Sequence, residues 1–132
     1  MRVVADSHTI VWYVQDSVRL GADAAVALDD ADASDGIVVS VATLADLWYV
    51  TQTTGGISVD DLAGLRSALD SARGVDLHPI DVAIADAFTA IPRDVLSDPW
   101  DRFIVATARS LDVPLVTRDE RIRAAGLTET IW

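Results

Sequence analysis

The chain has 132 residues, 51% hydrophobic and 23% charged, which fits a folded domain with a substantial core and excludes a disordered chain. Its 21 acidic residues outweigh ten basic ones, a formal net charge of −11, so the average surface repels phosphate and disfavours a DNA wrapper or a polybasic membrane binder. No cysteine is present and all ten basic residues are Arg, which removes disulfides, thiolate nucleophiles, Cys-bound zinc, P-loop phosphate binding and Schiff-base catalysis together.

Val3-Val4-Ala5 reads as a short buried strand ending at Asp6, after which Asp6 or Ser7 opens a helix carrying Ile10, Val11, Trp12 and Val14. Apolar runs stop well short of the roughly 18 residues a membrane span needs, and Asp6 interrupts the place where a secretory segment would lie, so a cytoplasmic, soluble domain is expected. A second helix is predicted over Ala22 to Ala31. Ser34-Asp35-Gly36 is turn chemistry leading to a strand at Ile37-Val38-Val39. Ser40 ends that strand, and Val41, Leu44, Leu47 and Trp48 recur at helical spacing through Thr51. Gly55-Gly56 breaks the helix, and Ser58 with Asp61 forms a capping-box pattern ahead of Leu62, Leu65 and Leu69.

Val75 to Ile80 is a third strand candidate, followed by a helix from Asp81 through Ala90 with Val82, Ala85 and Phe88 expected to face inward. Asp98-Pro99 is a strong helix start, because Asp accepts amide hydrogen bonds and Pro at the first position wastes no donor; this helix should run to about Leu111. Pro114 to Thr117 is a fourth strand, Arg118 to Ala125 a short helix, and Ile131-Trp132 an edge strand. This alternation predicts an α/β fold of three α/β/α layers around a mostly parallel sheet, organised as one domain over residues 1–132.

Ligands of open parallel sheets collect at the carboxyl ends of the strands. Asp6 stands at that end of the first strand, Asp46 in the helix after the second, Asp98 and Asp101 in the helix before the fourth, and Asp119 just past the fourth. Taken singly each has an ordinary explanation: helix capping for Asp98, the helix dipole for Asp101, a solvated face for Asp46, a turn for Asp119. Taken together they form a candidate cluster whose mutual repulsion a divalent cation such as Mg²⁺ or Mn²⁺ would relieve, while generating a nucleophile from water. Ser7, Thr9, Ser40 and Thr117 are candidate hydroxyls for orienting the carboxylates. His8 is expected on a helix surface and His78 in a strand or turn, both outside the site.

Asp6 after an apolar strand, the segment Ser40 to Trp48 (SVATLADLW), the segment Asp98 to Ala108 (DPWDRFIVATA) and Val116-Thr117-Arg118-Asp119 resemble PIN-domain ribonucleases of the VapC toxin type, and the resemblance spans essentially the whole chain. It implies a PIN-like fold and a Mg²⁺-dependent endoribonuclease that is the toxin of a toxin–antitoxin pair, a homodimer held inactive by a cognate antitoxin. Matching motif positions make Asp6, Asp46, Asp101 and Asp119 the metal quartet and Asp98 an auxiliary catalytic acid. The family more often has Glu where this chain has Asp46, and Asp reaches about 1.5 Å less.

The charge is unevenly spread. Arg93 to Arg123 contains six Arg and six acids, and the other 101 residues, with four Arg and fifteen acids, carry the whole −11. The neutral segment is therefore the candidate RNA face, with Arg102 and Arg118 as phosphate contacts, and the acidic remainder suits a basic antitoxin. Trp12, Trp48 and Trp132 are candidate partner anchors, with Trp12 and Trp48 expected in the core. Two other readings stay open: a metal-dependent phosphohydrolase, weakened by His8 where a second Asp belongs and by the missing Lys, and a PIN fold that binds a partner without cutting.

Overall fold

In the computed structural model, which describes all of residues 1–132, strands and helices alternate from the start of the chain. Strand β1 (Val3–Ala5) leads through Asp6 into α1 (Ser7–Val14), then α2 (Ala22–Ala33), β2 (Ile37–Ser40), α3 (Val41–Thr51) and α4 (Val59–Ser71). The second half runs β3 (Val75–His78), α5 (Val82–Thr89), α6 (Pro99–Leu111), β4 (Leu115–Val116), α7 (Glu120–Ala125) and β5 (Thr130–Ile131). Helix starts are written in local chemistry. Ser58 and Asp61 form a reciprocal capping box on α4, Ser40 accepts from the Ala42 amide at the head of α3, and Asp98 accepts from the Asp101 amide ahead of Pro99 on α6.

All five strands pair in parallel, in the order β3-β2-β1-β4-β5. Side chains alternate across the sheet and so feed two cores. Val3, Ala5, Ile37, Val39 and Val116 pack with Ile10, Val11, Trp12, Leu28, Leu47, Leu65 and Leu69 from α1 to α4 on one face. Val4, Val38 and Leu115 pack with Ile84, Ile104, Val105 and Ile122 from α5 to α7 on the other. This is the expected three-layer α/β/α arrangement. No helix is long and apolar enough to cross a membrane.

The order reverses at β1: β2 and β3 lie to one side, β4 and β5 to the other. The crevice outside the carboxyl ends of β1 and β4 is thus the topological switch point, where ligands of such sheets bind. Two local expectations are corrected. Strand β3 ends at His78 rather than Ile80, because Pro79 has no amide to extend the ladder. Helix α5 turns Ile84, Ala87 and Phe88 inward, not Val82 (78% exposed) or Ala85. The spacing of 84, 87, 88 and 91 fits the helical repeat and continues into buried Ile91.

Candidate active site

A cavity of about 460 Å³ at the switch point is lined by Asp6, Asp46, Asp98, Asp101 and Asp119, so all five predicted acids meet in one place. His8, Thr9, Trp12, Arg19 and Arg118 complete its wall. A second cavity, of about 530 Å³, lies between Arg109, Asp112, Pro114, Leu127 and Thr128 and holds none of the predicted acids.

Each carboxylate arrives by a different route. Asp6 leaves the end of β1 in extended conformation and precedes α1 without capping it through its side chain. Its carboxylate accepts from the Thr117 hydroxyl at the end of β4, 111 residues on. Asp46, one turn into α3, accepts a 2.7 Å bond from the Ser7 hydroxyl at the start of α1. Asp98 and Asp119 each use an oxygen as a helix cap: Asp98 on the Asp101 amide at 3.0 Å, Asp119 on the Arg121 and Ile122 amides at 2.8 and 3.3 Å. The Asp119 amide in turn donates to the Thr117 hydroxyl at 3.0 Å. Of the four candidate hydroxyls, Ser7 and Thr117 therefore hold site acids. Thr9 donates instead to the Val116 carbonyl at 3.0 Å, and Ser40 caps α3.

Asp101 has no side-chain hydrogen bond and sits partly buried among the other acids. Burial first, and then the charges of Asp98, Asp119, Asp6 and Asp46, push its pKa up to about 7. Asp6 is also raised above the ordinary carboxylate range, mainly by desolvation and in smaller part by Asp119, against the lowering pull of Thr117 and His8. The site thus holds more acid than it can ionise comfortably.

No three His, Asp or Glu side chains stand close enough together to form a ready-made metal cage. The donor set nevertheless fits a hard dication. Mg²⁺ takes only one or two carboxylates directly and keeps several waters, so an open, all-oxygen pocket of uncompensated acids suits it better than a closed cage would.

Three expectations change in the site region. Arg102 is not a phosphate contact: its guanidinium is buried and donates at 2.7 Å to the carbonyls of Leu96, Phe88 and Ile91, with its Cζ 4.6 Å above the Phe88 ring. Trp48 is not core but 50% exposed, stacked edge-on with Tyr49 at 5.0 Å. His8, set aside from the site, lines it as an exposed residue of α1, as does Arg19 of the α1–α2 connection. His8 carried no sequence signal beyond its nearness to Asp6, and Arg19 carried none, because the connection's path back to the pocket is set by tertiary packing.

A carboxylate-lined crevice at the switch point of a parallel sheet defines a PIN-type α/β protein, and the PIN domain family model matches residues 3–127, so the chain belongs to that family. Within it the similarity runs to the VapC branch. Over 122 residues the chain is 31% identical to Ribonuclease VapC22 of Mycobacterium tuberculosis (strain ATCC 25618 / H37Rv), covering 92% of this chain and 90% of that protein. Among solved structures, VapBC2 from Rickettsia felis, bound to a DNA fragment from its promoter, superposes with a TM-score of 0.71 at 12% identity over 98% of this chain and 97% of that one. Mycobacterium tuberculosis VapC20, a Sarcin-Ricin loop cleaving toxin, superposes with a TM-score of 0.66 at 14% identity over 98% of this chain and 99% of that one. At those identities the structures share the fold.

Proposed function

We propose that this protein is a Mg²⁺-dependent endoribonuclease and the toxin of a toxin–antitoxin pair. The observation that carries the reading is the convergence of Asp6, Asp46, Asp101 and Asp119, from four separate stretches of chain, on one pocket without a cationic partner for any of them. The similarity to a VapC ribonuclease supports it. These four residues would share the ion, one or two of them directly and the others through its waters, Asp46 among the latter because its short side chain is already tied to Ser7. When bound, a divalent ion supplies positive charge that acidifies water and stabilises the charge developing on a phosphodiester.

The chain's own residues do the rest. Thr117 and Ser7 fix the directions of Asp6 and Asp46, so that little reorganisation accompanies binding. Asp101, its carboxyl pushed up to about 7 in the metal-free chain, would give up that proton on holding a divalent ion at neutral pH. The reaction is hydrolysis: a water oxygen attacks phosphorus, the bond to the leaving ribose oxygen breaks, and that oxygen gains a proton. Asp98 acts as an auxiliary acid at the mouth of the pocket.

The partners follow from surface chemistry. A chain of net charge −11 with an acidic pocket suits a basic antitoxin segment. Trp48 and Tyr49, 50% and 55% exposed, with Trp100 5.8 Å from Tyr49, leave an aromatic face on α3 and α6 that we assign to a second copy in a homodimer.

The test is to incubate antitoxin-free protein with a mixed RNA pool in Mg²⁺ and again in chelator. Internal cuts that need Mg²⁺ and vanish in Asp6→Asn and Asp101→Asn are expected. Cutting that persists in chelator, or in both variants, overturns the assignment. Inertness toward RNA alongside tight binding of a basic peptide leaves a binding module instead.

A further inference from the structure

The wall of the acid pocket is not uniformly acidic: Arg118 and Arg19 stand in it beside five carboxylates, yet neither lies within 4.0 Å of any acid. In a crowd of anions an unconstrained guanidinium collapses onto a carboxylate. Arg118 is held away from that fate. Its Cζ sits 5.0 Å over the ring of Trp12, a cation–π contact that leaves the donor edges of the guanidinium unspent. The backbone is pinned on both sides, by the Thr117 amide on the Ile131 carbonyl at 3.1 Å and the Asp119 amide on the Thr117 hydroxyl at 3.0 Å.

Trp12 is itself braced. It is 8% exposed, too buried to stack a base, and meets Trp132 edge-on at 5.8 Å and His8 at 5.7 Å. Trp132 fits there because Gly21 has no side chain: a Cβ at that position would fall 2.9 Å from the Trp132 carbonyl carbon and from its indole nitrogen. Gly21, Trp132 and Trp12 thus stack into a support whose outermost member is the Arg118 guanidinium.

We propose that Arg118 and Arg19 form a phosphate clamp for single-stranded RNA, gripping a phosphate beside the one cut, and that Trp12 is the positioning residue that keeps Arg118 free for it. The inference rests on the ribonuclease reading and gives that site its means of drawing a polyanion to an acidic protein. The two cations stand on the pocket wall with the carboxylates, so a strand held by them passes the acids without needing a basic surface elsewhere.

The experiment uses the full chain and a short labelled oligoribonucleotide. Binding is followed by anisotropy in chelator across a salt series, and cleavage is followed in Mg²⁺. Each phosphate contact on a single strand contributes about 0.7 to the slope of log affinity against log salt. Arg118→Ala and Arg19→Ala are each expected to remove part of that contribution of about 0.7, and the double variant all of it, and each to raise KM about tenfold with a smaller effect on kcat. Arg118→Lys, which retains the point charge, keeps most of the slope. Trp12→Phe keeps a ring beneath the guanidinium and stays near wild type in the slope, whereas Trp12→Leu reproduces the Arg118→Ala slope. If wild type binds and cuts RNA but the two Arg variants keep its slope and KM, the clamp is refuted and the ribonuclease reading stands. If wild type neither binds nor cuts RNA, both fall.

Discussion

Replacing Asp101 by Asn should make the metal-free protein more stable above neutral pH while destroying its activity. The carboxyl group of Asp101 titrates near 7 in the folded chain against an ordinary value of 3.8, because burial and four neighbouring acids oppose its charge. The folded state therefore keeps a proton between about pH 4 and pH 7 that the unfolded chain has released, and stability falls as pH rises through that window. A shift of about three units corresponds to an upper bound of about 4 kcal/mol, which partial exposure and solvent screening reduce to about 1–2 kcal/mol. Urea titrations in chelator at pH 4.5 and about pH 8 measure it. Wild type should lose that amount relative to Asp101→Asn between the two conditions, and saturating Mg²⁺ should restore it to wild type alone. The difference between the two proteins cancels the acids they share, apart from those coupled to Asp101. A wild-type curve that tracks the variant across the whole pH range refutes the claim that unrelieved charge is stored at this pocket.

Arg102→Ala should destabilise the chain by about 3–5 kcal/mol in chemical denaturation, because three buried carbonyls lose their donor together, and Arg102→Lys should recover only part of it. Asp98 has two duties that substitution separates: Asp98→Ala should cost about 1 kcal/mol through the lost cap, whereas Asp98→Asn keeps the cap. In RNA cleavage, Asp98→Asn should slow the reaction less than about tenfold and Asp101→Asn by about a hundredfold or more; equal losses would place Asp98 among the principal acids. Gly74→Ala should lower the urea midpoint by the equivalent of about 1–3 kcal/mol, since the new Cβ would meet the Asp32 side chain and stand 2.6 Å from its carbonyl oxygen.

What the sequence made legible was local. Val3-Val4-Ala5 followed by Asp6, the Ser58 and Asp61 capping box and Asp98-Pro99 all carry their structural meaning within four residues, and each is found where expected. The gathering of the five acids was legible one step further on, because parallel topology alone sends strand ends to a common edge. The misread residues depend on distant partners. Arg102 looks like any surface cation until Leu96, Phe88 and Ile91 fold over it, and the aim of its guanidinium is decided by loop carbonyls that no periodicity announces. Trp48 sits on the helical repeat of α3, but its ring packs edge-on against that of adjacent Tyr49 and stays half exposed instead of entering the core. The hydroxyl tethers divided on the same ground: Ser7 finds Asp46 39 residues away, while Thr9, two positions on, points to the backbone of β4.

Two of the site acids, Asp98 and Asp119, also terminate helices through side-chain oxygens. An amide side chain accepts the same bonds from those helix ends, so an Asp-to-Asn change spares the architecture at both, and at Asp119, in the proposed metal quartet, it silences chemistry while doing so. On the proposed toxin–antitoxin reading, a lineage can therefore drift into inactive decoys by single nucleotide changes, copies that still occupy an inhibitor and so raise the dose needed to restrain the active form. Loss of function in this scaffold need not mean loss of influence.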